Sequence, residues 1–261
     1  MLTDAVRFEA KGAIGVITLD RPDNRNSMTE ELLSAFEARV TEARGYPDVR
    51  CVILTGAGNC FSAGADFRAQ IQRGAPDASP AERSYAMYEP FLSILDLEVP
   101  VIAAMNGHAV GGGFGLSLLC DIRIVNREAK VGANFARLGL APGLAVSYLL
   151  PRIVGASRAA EMLFSGRLIR GEQAAQIGLA SEAVEPHLVM ARSLVLAEDI
   201  AAAAPLAVRA AKKLLRAGLG WDVRAAARAE APVQADTLGS RDAREGMAAL
   251  LEKRDPVFHG R

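Results

Sequence analysis

The sequence predicts an α/β fold, and three observations carry that prediction. Two short apolar runs, Cys51-Val-Ile-Leu-Thr55 and Pro100-Val-Ile-Ala-Ala104, read as buried strands, and each leads into a glycine-rich loop. Apolar residues at helical spacing, as in Leu32, Leu33, Phe36 and Val40, lie between strand candidates. From residue 144 onward helical patterns dominate.

Taken in order, residues 6–10 and 14–19 are strand candidates around Lys11-Gly12, and the second ends at the turn-forming Arg21-Pro-Asp-Asn24. Ser27-Met-Thr-Glu30 fits a capping box, in which a side-chain oxygen and a glutamate satisfy exposed N–H groups at a helix start. The amphipathic helix it opens runs to Gly45. After the strand 51–55 and the loop 56–66, residues 68–80 carry two prolines and little periodicity, and read as a mobile loop. A helix over 81–95 brings Glu82, Tyr85, Tyr88, Glu89 and Phe91. The strand 100–104, a glycine turn, a short apolar helix over 116–119 and a strand over 122–125 follow. Helices are then predicted over 144–154, 157–164, 171–177, a long pair through 187–216, 222–238 and 240–253. Residues 197–231 are rich in alanine with arginine and lysine, which suits helices packed on one another or on a neighbouring subunit. No repeat of fixed length stands out.

Composition narrows the function classes. At 261 residues with 51% apolar content, the chain has material for one main α/β domain. Acidic and basic residues number 30 each, which argues against a nucleic-acid or membrane surface built on bulk charge. Cys51, Cys60 and Cys120 lie in or beside apolar segments without metal-ligand spacing, so they read as buried free thiols in a reducing compartment. There is no basic region followed by an apolar run at the N-terminus, and no apolar stretch of about 18 residues, so the cytoplasm is the simplest location.

The chemistry concentrates in Ala104-Met-Asn-Gly-His-Ala-Val-Gly-Gly-Gly-Phe-Gly115, where an apolar strand meets three consecutive glycines and then a helix. Glycines there let a ligand approach the main chain where a helix start exposes unpaired N–H donors. Such a turn suits an anion or a polarised carbonyl oxygen.

Several segments, in one order along nearly the whole chain, resemble the crotonase (enoyl-CoA hydratase/isomerase) superfamily. They are Arg21-Pro-Asp-Asn-Arg-Asn26, Ser62-Ala-Gly-Ala-Asp66, Asn106-Gly-His-Ala-Val-Gly-Gly-Gly113, Cys120-Asp121, Gly139-Leu-Ala-Pro-Gly143, Leu150-Pro-Arg-Ile-Val-Gly155, Gly171-Glu-Gln-Ala-Ala-Gln-Ile-Gly-Leu179 and Glu252-Lys-Arg254. The resemblance implies a crotonase-like spiral of ββα turns over residues 1–195, binding acyl-CoA. It also implies a C-terminal helical segment over 196–261 that builds a homotrimer or a dimer of trimers and completes the CoA pocket. A CoA thioester is then the substrate, with no resident cofactor or metal.

By the same resemblance the thioester oxygen is held by the backbone N–H groups of Ala65 and Gly112, and an enolate forms. The hydratases of the family add two carboxylates. Here Gly115 stands at the first acidic position and Phe135 at the second, while Gly143 replaces the aspartate of an isomerase subgroup. Phe135 makes its wall apolar, and Gly115 is expected to leave room for bulk or ordered water. Ordinary hydration is therefore disfavoured relative to chemistry that needs little base, such as decarboxylation of a malonyl-type thioester, followed by isomerisation with a relocated base. A non-catalytic acyl-CoA binder is the alternative. Glycine density alone suggests a dinucleotide site, but a good G-x-G-x-x-G with a following acid is missing.

Other proton carriers compete with blander readings. Glu82 and Glu89 can reach a substrate from the helix over the pocket, although exposed helical carboxylates are usually solvated. Tyr85 and Tyr88 can donate a hydrogen bond or simply pack. His108, Asp66 and Asp121 read as structural. Arg137 and Tyr148 border the missing second acid and can bind a polar acyl group or lie on helix surface. For CoA, the resemblance points to Arg25 and Arg68 at the phosphates, to the Ala63, Gly64 and Asp66 loop at the adenine, and to Lys253 with Phe258 reaching a neighbour's ligand.

Overall fold

The computed structural model describes residues 4–66, 77, 79–217, 240–252, 254 and 256–261. Strands β1 (Val6–Lys11) and β2 (Ile14–Leu19) form an antiparallel hairpin, and helix α1 (Glu30–Arg44) follows. The remaining elements in order are β3 (Cys51–Gly56), β4 (Cys60–Ser62), α2 (Pro80–Leu92), β5 (Val101–Met105), β6 (His108–Val110), α3 (Gly112–Leu119), β7 (Ile122–Asn126) and β8 (Lys130–Gly132). Then come α4 (Val146–Val154), α5 (Ala156–Ser165), β9 (Ile169–Arg170), α6 (Gly171–Gln176), β10 (Glu182–Val184), α7 (Val189–Ala202), α8 (Pro205–Ala217) and a last helix, Arg241–Glu252.

The strands build two sheets, ordered β1-β2-β3-β5-β7-β10 and β4-β6-β8-β9. Three successive strand pairs place one strand in the larger sheet and the next in the smaller: β3 with β4, β5 with β6, β7 with β8. A helix follows each pair, so the chain winds as ββα turns, and pairing from β2 to β10 and from β4 to β8 is parallel. The smaller-sheet strands are not legible in sequence, because two or three residues are too few to show a period of two.

In the larger sheet the central strands β3 and β5 are buried on both faces. Val52 and Leu54 of β3 join the main core with Leu32, Leu33 and Phe36 of α1, where Phe36 meets Phe91 edge-to-face at 5.0 Å between ring centres. Cys51 and Ile53, one residue out of phase, join Ile102, Ala104 and Ile124 beneath Val189 and Ala197 of α7. Helix α7 therefore belongs to the sheet's packing, and a boundary after residue 195 falls inside it. The long pair predicted through 187–216 is α7 and α8, broken before Pro205, whose ring cannot continue a helix from the preceding turn. The helix predicted over 222–238 lies outside the described residues.

Two helix starts differ from expectation. Helix α1 is capped by Thr29, whose hydroxyl accepts from Leu32 N–H at 3.2 Å, whereas the Ser27 hydroxyl donates to the Asn24 carbonyl at 2.7 Å. The capping box lies instead on α2: Ser79 N–H donates to the Glu82 carboxylate at 2.7 Å and the Ser79 hydroxyl accepts from Glu82 N–H at 3.3 Å. Those bonds hold the Glu82 carboxyl below its ordinary value.

Charged side chains tie the layers together. Asp121 accepts from Val101 N–H at 2.8 Å, from Lys212 Nζ at 2.9 Å and from Arg216 Nη2 at 3.2 Å, anchoring α8 to the sheet. Buried Arg123 donates to the carbonyls of Leu179, Ser117 and Cys120, closing the C-terminal end of α3. Among the described residues no helix is long and apolar enough to cross a membrane, and no group of three or more potential ligands is placed to hold a metal.

All three cysteines are buried and free. Burial pushes their thiols up, Cys51 and Cys120 to about 12 and Cys60 to about 11. Since the thiolate is the nucleophile, native protein at pH 8 is expected to react with none of its thiols on the minutes scale of an aromatic disulfide assay, and with all three in denaturant. Rapid reaction of a native thiol would contradict this packing.

Candidate active site

The site begins with a lacing of loops. Buried Asn26, held at φ 53°, accepts from Arg21 N–H at 2.8 Å and donates through Nδ2 to the carbonyls of Ala57 (3.0 Å) and Cys60 (2.7 Å). Its own carbonyl accepts from the Ser62 hydroxyl at 2.8 Å, and the Arg25 carbonyl accepts from Ala63 N–H at 3.0 Å. Met28 then forms a short parallel bridge with Ala65: Met28 N–H donates to the Gly64 carbonyl at 2.8 Å, and Asp66 N–H donates to the Met28 carbonyl at 3.3 Å. In such a bridge the residue opposite Met28 turns its own N–H away, so Ala65 N–H faces off this ladder.

Helix α3 brings the second amide. Gly111 precedes it at φ 56°, ψ −120°, a conformation closed to side chains, and Gly112 is the first helical residue. A Cβ on Gly64 would lie 2.6 Å from the Val110 carbonyl oxygen and 3.1 Å from Gly112 N, so only glycine permits this approach of the two loops. Among the described residues neither Ala65 N–H nor Gly112 N–H has a hydrogen-bond acceptor.

Both residues line a cavity of about 310 Å³. The 62–66 loop adds Ala63 and Asp66, helix α2 adds Met87 and Tyr88, and the segment after β8 adds Asn134, Phe135, Leu138 and Leu140. Phe135 is buried, so this wall is apolar as its residue type predicts. Tyr88 lies with one ring edge 3.4 Å from the point a Gly112 Cβ would occupy, and its other edge and hydroxyl 2.6 to 2.7 Å from that of Gly143. Burial raises the Tyr88 phenol, which keeps it protonated.

The remaining expectations separate. Gly115 leaves little room: a Cβ there would sit 3.0 and 3.1 Å from Leu144 side-chain atoms and 3.2 Å from Val146 Cγ2. Leu144 and Ala145 take φ 52° and 54°, a left-handed pair that turns Leu144 inward over Gly115. The space expected for water is thus filled by hydrocarbon. Glu89 follows Tyr88 on α2 but is exposed and does not line the cavity, since one helical step carries it about 100° around the axis. Glu82 is occupied in capping, and Tyr85 is 60% exposed.

His108 Nδ1 accepts from Lys130 N–H at 3.0 Å, and Asp121 serves the sheet and α8, so both are structural. Arg137 donates to the Ser165 carbonyl, and the exposed Tyr148 ring stacks on Arg152 at 3.6 Å; neither lines the cavity. Arg25 is exposed beside the Ala63 loop. Half-buried Phe258 is tied through its carbonyl to Arg50 Nη2 at 2.8 Å, outside this cavity. Arg68 and Lys253 lie outside the described residues. Asn26 and Met28, which set the loop, carried no chemical signal in sequence beyond their place near Arg21-Pro-Asp-Asn.

The profile of the enoyl-CoA hydratase/isomerase family matches residues 9–261. A crotonyl-CoA hydratase from Syntrophomonas wolfei is 33% identical over 259 residues, covering 99% of this chain and 99% of the relative. An (E)-benzylidenesuccinyl-CoA hydratase from Thauera aromatica is 34% identical over 270 residues, covering 98% and 99%. The crystal structure of an enoyl-CoA hydratase from Bacillus anthracis superposes with a TM-score of 0.91 at 32% identity, covering 98% of this chain and 100% of that one.

Proposed function

Because the chain belongs to the enoyl-CoA hydratase/isomerase (crotonase) family, we propose that it binds a CoA thioester and stabilises its enolate between Ala65 N–H and Gly112 N–H, with loss of CO2 from a malonyl-type thioester as its reaction. The observation that carries this reading is that Ala65 and Gly112, whose N–H groups have no acceptor among the described residues, both line one cavity, with Gly112 at a helix start. Fixed donors in a site screened from water stabilise a developing oxyanion without reorganising as the reaction proceeds.

The relatives' names point to hydration, which places hydroxide and a proton across a double bond and calls for an acid and a base. Phe135 and the Leu144-covered Gly115 favour another outcome. Breaking the bond to a carboxylate leaves its electron pair on the α-carbon, conjugated with the thioester carbonyl, so no base is needed. Arg25 and the Ala63, Gly64 and Asp66 loop hold the CoA moiety in this reading, with Arg68, Lys253 and Phe258. In the same reading the segment 196–261 builds a homotrimer or a dimer of trimers, and the setting is cytoplasmic.

Incubating the protein with 2-methylmalonyl-CoA, a β,γ-enoyl-CoA and crotonyl-CoA in D2O, with detection by mass spectrometry, tests the assignment. CO2 loss from the first, faster than any change in the others, is expected. If all three bind unchanged and no deuterium reaches the α-carbon, the chain is a non-catalytic acyl-CoA binder.

A further inference from the structure

We propose that Tyr88 Oη is the proton donor to the α-carbon of the bound thioester enolate. The inference rests on the reading of the cavity as an enolate site and adds the group that ends the reaction. An enolate freed of CO2 needs a proton, and few lining groups can give one. Asp66 carries a carboxyl group, Asn134 is an amide, and apart from Tyr88 the other described lining side chains are apolar or absent. Tyr88 carries the one hydroxyl among them, and it has no hydrogen-bond partner among the described residues.

Its position fits the task. The ring spans from Gly112, whose amide is one of the two donors, to Gly143, and the absence of a side chain at Gly143 is what admits it. Any Cβ at residue 143 would overlap Cε2, Cζ and Oη, so the glycine there holds open the place the phenol occupies. The ring is thereby fixed by packing, while the hydroxyl has no structural bond to keep. Its raised titration supports the role of acid rather than base at neutral pH.

In the step itself, the electron pair of the enolate carbon–carbon double bond forms the new α-carbon–hydrogen bond as the Tyr88 O–H bond breaks. The enolate oxygen returns to a thioester carbonyl, the O–H electron pair remains on the phenolate, and the phenolate takes a proton from water. A donor fixed on one side of the enolate delivers that proton to one face.

The test is decarboxylation of 2-methylmalonyl-CoA in D2O by the whole protein and by Tyr88→Phe, which keeps the ring and removes only the hydroxyl. The wild type is expected to yield one enantiomer of 2-deuteriopropionyl-CoA. Tyr88→Phe is expected to yield a racemic product while binding propionyl-CoA within about threefold of wild type. A single enantiomer from Tyr88→Phe at the wild-type rate overturns the assignment, as does racemic product from the wild type, and in both cases the enolate reading stands. Absence of CO2 release from the wild type removes the decarboxylase reading and the donor with it.

Discussion

Replacing Gly112 with proline is expected to lower kcat/KM by about 10²- to 10³-fold, the loss that typically follows removal of one oxyanion donor. Gly112 is the first residue of α3, a position whose N–H is not used within the helix and where proline fits the backbone. The substitution therefore deletes the proposed donor without breaking the helix ladder. It also introduces a Cβ, which at this position would sit 2.5 Å from Met28 Sδ. Gly112→Ala supplies the control, because it adds the same Cβ and keeps the N–H. If the alanine variant loses as much activity as the proline variant, displacement of Met28 is responsible and the amide is not a donor. Retained activity in the proline variant has the same consequence.

Replacing Asp121 with alanine is expected to cost about 3 kcal/mol of folding stability, the low end for breaking a buried ion pair because one partner keeps some solvent contact. The Lys212 side chain is 6% exposed and that of Asp121 is 24% exposed. Lys212 Nζ also donates to the Val99 carbonyl at 2.6 Å, but that bond does not neutralise its charge. Burial already lowers the Lys212 ammonium, and the Asp121 carboxylate opposes that shift. Without it, folding must bury an uncompensated cation and also leaves Val101 N–H without its acceptor. Urea unfolding midpoints measure the cost. The double variant Asp121→Asn, Lys212→Met, which removes both charges together, is expected to recover most of it. A single-variant cost below about 1 kcal/mol would mean that the pair is solvated.

Helices with a clear apolar period, such as α1, and strands with continuous apolar runs, such as β3 and β5, are legible because burial writes its period into residue type. The glycine turn before α3 is legible for a related reason: residues without Cβ have few other uses in such density. What sequence misplaces is local and short. The N-cap of α1 goes to Thr29 because Ser27 spends its hydroxyl on Asn24, a choice among nearby oxygens that propensity does not resolve. Strands β4, β6 and β8 exist only through their neighbours in the smaller sheet.

The site divides in the same way. Sequence by itself determined the family, and the resemblance it carries names Ala65 and Gly112 as candidate amides and Gly115, Phe135 and Gly143 as candidate positions of missing acids, since each is a statement about residue type in a recognisable run. Only the tertiary structure decided what surrounds those positions: Leu144 and Val146 over Gly115, and the Tyr88 phenol beside Gly143. It also turned Glu89 out of the cavity. The physical reason is that a side chain's neighbours across a cavity come from segments distant in the chain, and their approach is set by packing that no local pattern encodes.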